Sequence, residues 1–136
     1  MARKPCINFP GALYHVIARG NRRQKIFCDD SDYELYLQFL EEYKERYRFS
    51  LYAYALLPNH LHLLIEVGEI PLSRLMQTLQ FRYTRNFNIK YQKFGHLFQG
   101  RYKGILCEKD SYLVEHSAYI HLNALRARLM LIITKY

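Results

Sequence analysis

Apolar positions along the chain recur with two periods, and the changes of period mark its elements. Leu13–Arg19 reads as a strand and is closed by Gly20-Asn21. Ser31 reads as a helix N-cap with acids in the turn after it, and Tyr33, Tyr36, Leu37, Leu40, Tyr43 and Tyr47 follow at helical spacing. Residues 51–57 and 60–67 are apolar runs of strand length, and Pro58-Asn59 between them predicts a tight hairpin turn. Pro71 opens a second helix that runs to about Lys90. Leu72, Leu75, Met76, Leu79 and Tyr83 fall on one face of it, and Arg74, Thr78, Arg82 and Arg85 gather on the other. Residues 98–107 predict a further strand, and Asp110 or Ser111 starts a last helix reaching about Arg128.

The predicted order is β-α-β-β-α-β and then a helix. That is the split βαβ, or ferredoxin-like, α+β pattern: an antiparallel sheet with two helices on one face and an additional C-terminal helix. A length of 136 residues suits one domain spanning 1–136. The second sheet face is left for a ligand or for the extra helix. No apolar run approaches the ~20 residues of a membrane span, and no apolar segment follows the basic N-terminus, so a cytoplasmic, nucleoid-associated protein without a membrane partner is expected. Cys6, Cys28 and Cys107 are odd in number and widely spaced, which speaks for reduced thiols rather than a disulfide framework.

Charge changes this picture by its distribution. Residues 29–45 carry Asp29, Asp30, Asp32, Glu34, Glu41, Glu42 and Glu45 against Lys44 alone. Residues 70–107 carry Arg74, Arg82, Arg85, Lys90, Lys93, Arg101 and Lys103 with no acid, and Arg19, Arg22, Arg23 and Lys25 form a third basic group. The formal charge is +8, and thirteen Tyr and eight Phe are interleaved with it. Segregated positive charge among aromatic rings points to nucleic acid, with the arginines, and Lys103 beside Arg101, as contacts to the strand.

Asn59-His60-Leu61-His62 is the sharpest motif. Strand side chains alternate, so His60 and His62 share a face while Leu61, Leu63 and Ile65 take the other. Two imidazoles one strand repeat apart suit one cation; a bare His-x-His is more often two histidines held in place by hydrogen bonds, since so short a motif matches by chance. On the last helix Tyr119 and Asn123 are neighbours four residues apart on the polar side. Tyr112 lies on the same stripe and competes for the same role. A phenol with pKa near ~10 is a weak nucleophile until a cation polarises its target phosphate. His60, His62 and the amide oxygen of Asn123 are a fitting ligand set for Mg²⁺ or Mn²⁺, with imidazole slightly favouring Mn²⁺.

These segments resemble the single-tyrosine HUH transposases, the insertion-sequence transposase A type, and within them the REP-associated tyrosine transposases. His60-Leu61-His62 matches the His-hydrophobic-His motif. Tyr14-His15-Val16 through Arg19-Gly20-Asn21, Leu97-Phe98-Gln99 through Arg101-Tyr102-Lys103, and Tyr119-Ile120-His121-Leu122-Asn123 are similar to the family in the same order. The resemblance implies that His60 and His62 bind the metal, that Asn123 is a further ligand, and that Tyr119 is the nucleophile forming a 5′-phosphotyrosine and freeing a 3′-hydroxyl. It also implies single-stranded DNA, in a stem-loop or palindromic repeat, as substrate. Relatives include homodimers with shared sites as well as monomers. A competing reading is a non-catalytic RRM-like module, or a degenerate transposase that only binds DNA. It leaves His60 and His62 without a role, and Arg101-Tyr102-Lys103-Gly104 is a loose match to the RNA-binding signature of such modules.

Overall fold

Two-residue turn chemistry organises the middle of the sheet. The computed structural model describes residues 9–107 and 131–133. Within it Pro58-Asn59 joins strands β2 (Ser50–Leu57) and β3 (His60–Glu66), with Leu57 opposite His60. Strand β1 (Leu13–Arg19) pairs antiparallel with β3, so that Ile17 faces His62 and Arg19 faces His60. Strand β4 (Lys103–Cys107) pairs with the other side of β1, and the short β5 (Leu131–Ile133) pairs with β2. The order across the sheet is β4-β1-β3-β2-β5. Its first four strands, with helices α1 (Asp30–Tyr47) and α2 (Leu72–Tyr91) inserted as crossovers, form the expected ferredoxin-like split βαβ arrangement.

The two helices cover one sheet face. Tyr14, Val16, Ala18, Leu61, Leu63 and Ile65 point into it and are buried. Tyr36, Phe39, Leu40 and Tyr43 of α1 and Leu75, Met76, Leu79, Tyr83 and Phe87 of α2 close over them. Burying each large apolar side chain contributes about 1.5–3 kcal/mol, so this layer holds the fold. Rings dominate it: Tyr36 and Tyr83 meet edge to face at 5.0 Å, and Tyr83 Oη donates to the Ile26 carbonyl.

Three elements depart from the sequence expectation. The N-cap of α1 is Asp29, not Ser31: Asp29 is extended and its carboxylate accepts from the Asp32 amide at 3.1 Å. Ser31 lies inside the first turn and donates to Asp29 Oδ1 at 2.6 Å. The Asp29 carboxylate is held down to about pH 2 by the Ser31 hydroxyl and the Lys90 ammonium. Lys90, Asp29 and Asp32 thereby tie the end of α2 to the start of α1. The fourth strand begins at Lys103 rather than Phe98, because Gly100 turns in the left-handed region (φ 56) and Phe98 reaches only a single bridge, to Gly20. Strand β5 was not expected at all. The last predicted helix, with Tyr112, Tyr119 and Asn123, lies outside the described residues.

Candidate metal and DNA site on the second sheet face

Alternation along β1 and β3 sorts their side chains onto two faces. Leu61, Leu63 and Ile65 are fully buried under the helices, which places His60 and His62 on the opposite face as their spacing predicts. Cross-strand register then adds residues that spacing alone cannot reach. His15 and Arg19 of β1 share this face with the two histidines, and Lys103 of β4, paired with Ile17, joins them. Apolar residues fill in around them: Leu57 and Ala55 of β2 stand opposite His60 and His62, Ala53 stands opposite Leu64, and with Leu13 they form a second buried cluster.

The three imidazoles make a chain. His60 and His62 stand with ring centroids 5.2 Å apart and planes nearly perpendicular, and His62 and His15 are also 5.2 Å apart. His60 Nδ1 lies 2.8 Å from Asn59 Oδ1. That oxygen can only accept, so His60 carries its proton on Nδ1 and keeps the lone pair of Nε2 free. His62 Nδ1 lies 3.0 Å from His15 Nε2. Neither His60 nor His62 has an Nε2 hydrogen bond to another described residue.

Both histidines are held neutral. Burial pushes His62 down to about 4, reinforced by the neighbouring His15 and His60 rings. Burial and the nearby Arg19 guanidinium lower His60 in the same direction. A metal ligand must be the unprotonated imidazole, so this environment already holds the form a cation needs. Among the described residues no three His, Cys, Asp or Glu side chains converge on one point. The donor set here is therefore two imidazole nitrogens, which fits a cation completed by oxygen ligands and not a closed structural zinc site.

The predicted basic residues separate into two groups. Arg19 and Lys103 are exposed on the histidine face. Arg22 and Arg23 are exposed in the 3-10 turn Asn21–Arg23 that follows Arg19, both in left-handed backbone (φ 54 and 58). Arg101 is exposed before β4, its guanidinium 5.8 Å from the Tyr102 ring centre. Arg74, Arg82 and Arg85 belong to α2, in the layer on the far side of the sheet. Arg82 is already engaged: it pairs with Glu42 of α1, donates to Tyr43 Oη at 3.3 Å and stacks 4.1 Å from the Phe39 ring centre. Arg74 and Arg85 remain exposed, Arg85 between Phe81 and Ile89, which are themselves 71% and 69% exposed.

Sequence spacing assigns no role to Asn59 within its motif or to His15 within its segment, because the relation of His15 to His62 depends on the register of β1 against β3.

The chain matches the family described as "Transposase IS200 like" over residues 8–123. No curated protein matches it. Among solved structures, a REP-associated tyrosine transposase bound to a REP hairpin is similar with TM-score 0.73 at 16% identity, over 93% of this chain and 74% of that one. A protein of Deinococcus radiodurans R1 described as a transposase is similar with TM-score 0.60 at 16% identity, over 89% of this chain and 97% of that one. At such identities the likeness is one of fold.

Proposed function

Because the chain belongs to the IS200-like transposase family, we propose that it cleaves and rejoins single-stranded DNA with Tyr119 as nucleophile, His60, His62 and Asn123 as metal ligands, and a stem-loop as substrate. The observation that carries this reading is the pair of neutral, half-buried to buried imidazoles side by side on β3, each hydrogen-bonded through Nδ1. Desolvating two imidazoles is costly for a purely structural role that leucine could fill.

The sequence expects Tyr119 and Asn123 together on the polar side of a last helix, and His60 and His62 lie on the sheet face opposite α1 and α2.

The chemistry then divides among the chain's own residues. The Tyr119 oxygen attacks the phosphorus, and the bond from phosphorus to the 3′-oxygen breaks. The 5′-phosphate remains on the tyrosine, and the proton lost by the phenol is balanced by the one the departing 3′-oxygen takes up. A bound Mg²⁺ or Mn²⁺ supplies charge neutralisation at the phosphate oxygens. His60 and His62, neutral at pH 7, hold that charge without adding their own. Arg19 and Lys103 flank them, and with Arg22, Arg23 and Arg101 they grip the phosphates of the strand being cut. Arg74 and Arg85 meet the DNA where it passes round to the helix layer, whereas Arg82 ties α2 to α1 through Glu42. The solved relative bound to a REP hairpin supports a stem-loop substrate.

The test is a stem-loop oligonucleotide labelled on the 3′ side of the cut, incubated with Mn²⁺ and run on a denaturing gel. Wild-type protein is expected to retain the label covalently, Tyr119→Phe to lose it, and Tyr112→Phe at most to slow it. A shifted band that persists in Tyr119→Phe and vanishes in Tyr112→Phe moves the nucleophile to Tyr112. Strand binding without any adduct favours the binding-only module.

A further inference from the structure

We propose that His15 is a positioning residue for the metal site: it accepts the Nδ1 proton of His62 and thereby aims the His62 Nε2 lone pair at the cation. The inference rests on the reading of His60 and His62 as ligands. It concerns a proton's place on a ring, not the ring's charge.

Histidines that bind metal nearly always donate their other ring N–H to an acceptor, which fixes tautomer and ring orientation. His60 has such an acceptor in Asn59 Oδ1 at 2.8 Å, the residue before it in the turn. His62 lies deeper, at 7% exposure, and among the described residues its Nδ1 meets only His15 Nε2, at 3.0 Å. Two imidazole nitrogens at that distance share one proton. Were His15 the donor, His62 would keep its proton on Nε2 and present a donor where a cation needs a lone pair. With His62 as donor, His60 and His62 both bond through Nδ1 and both offer Nε2, from rings 5.2 Å apart.

The place of His15 in the fold suits this task. It sits in the interior strand β1, between Leu64 of β3 and Ile105 of β4, and is only 3% exposed. Neighbours on the same side of β1 are Leu13 and Ile17, so an apolar residue at 15 would fit the strand without the cost of burying two ring nitrogens. A diagonal pair on adjacent antiparallel strands is held by the sheet's own register, which limits how far either ring can turn.

The experiment uses the full chain labelled with ¹⁵N-histidine. Long-range ¹H–¹⁵N correlation reads the tautomer of His62 without any metal, and electron paramagnetic resonance of added Mn²⁺ reads affinity. Wild-type His62 is expected as the Nδ1–H tautomer. In His15→Leu that tautomer gives way to Nε2–H and Mn²⁺ affinity falls about 10–100-fold. His15→Gln, whose Oε1 reaches to where the imidazole Nε2 stands, restores most of both. An Nε2–H tautomer in the wild type, or an unchanged tautomer and affinity in a folded His15→Leu, overturns the proposal. If His15→Leu fails to fold, the wild-type tautomer and His15→Gln still decide. A wild type that binds no Mn²⁺ yet shows the Nδ1–H tautomer overturns the metal reading while leaving the His15–His62 bond in place.

Discussion

The two faces of this sheet are made by the same strands, and alternate residues give them opposite characters. Under the helices, Val16, Leu61, Leu63 and Ile65 are uniformly apolar and essentially without exposure. On the other face Leu13, Ala53, Ala55 and Leu64 are as deeply buried, but His15, His62, His60, Arg19 and Lys103 stand among and beside them. One face thus fixes which way the strands lie, and the other uses the positions left over. A one-residue slip of β3 would exchange them, putting two imidazoles in the core and three large aliphatic side chains outside. Fold and chemistry in this transposase family member therefore rest on one register.

The comparison breaks most visibly at the core face. Leu63→Ala should cost about 2–5 kcal/mol, measured by urea unfolding, because a fully buried site between sheet and helices collapses poorly. His60→Ala, at the half-buried edge of the other face, should cost under about 1 kcal/mol by the same measurement. Equal losses at the two positions would mean that the faces are not divided as described.

Acid sharpens the contrast from the other side. His62 has its pKa pushed down to about 4 in the folded chain against an ordinary value of 6.5, chiefly by burial. A depressed histidine binds its proton more readily when unfolded, so its share of stability is full above pH 6.5 and is lost as pH falls through 4. The size is of the order of 3 kcal/mol. His62→Gln should flatten that segment of the stability–pH curve. A curve of unchanged slope between pH 6.5 and 4 would show that His62 titrates normally.

The smallest effects separate the two groups of arginines. Arg19→Ala and Lys103→Ala should each reduce the slope of log affinity against log salt by about 0.7 for a single strand. Arg82→Ala should leave that slope alone and instead lower stability by about 1 kcal/mol, having lost Glu42 and the Phe39 ring. The reverse pattern would return Arg82 to the DNA and detach Arg19 from it.

What the sequence made legible was local. A strand-length run closed by Gly20-Asn21 marked β1 to the residue, period-two alternation put His60 and His62 on one face, and period 3.6 marked both helices and their buried stripes. Choices between near-equivalents were less readable. Asp29 and Ser31 are both good capping residues, and the backbone geometry that selected Asp29 is not written in either letter. The fourth strand starts late, at Lys103 rather than Phe98, because Gly100 turns in the left-handed region before it. Non-local facts were out of reach. His15 and His62 are separated by 47 positions, and their contact depends on pairing register. Arg82 was placed correctly on its helix face, but nothing in the wheel tells that Glu42 and Phe39 of α1 lie beside it. The apolar run Leu131-Ile132-Ile133, which forms β5, is too short to stand out as a strand by periodicity.

The central claim is that the His60–His62 pair holds a cation for DNA cleavage, and not that it merely fills the sheet. Cleavage rate of a stem-loop substrate against Mn²⁺ concentration, set beside DNA affinity, tests it for wild type, His60→Ala and His62→Ala. Wild-type cleavage should be abolished by EDTA, and the folded variants should bind DNA as the wild type does but no longer cut it at any Mn²⁺ concentration. Wild-type cleavage indifferent to EDTA, together with unfolding of both variants, would contradict it.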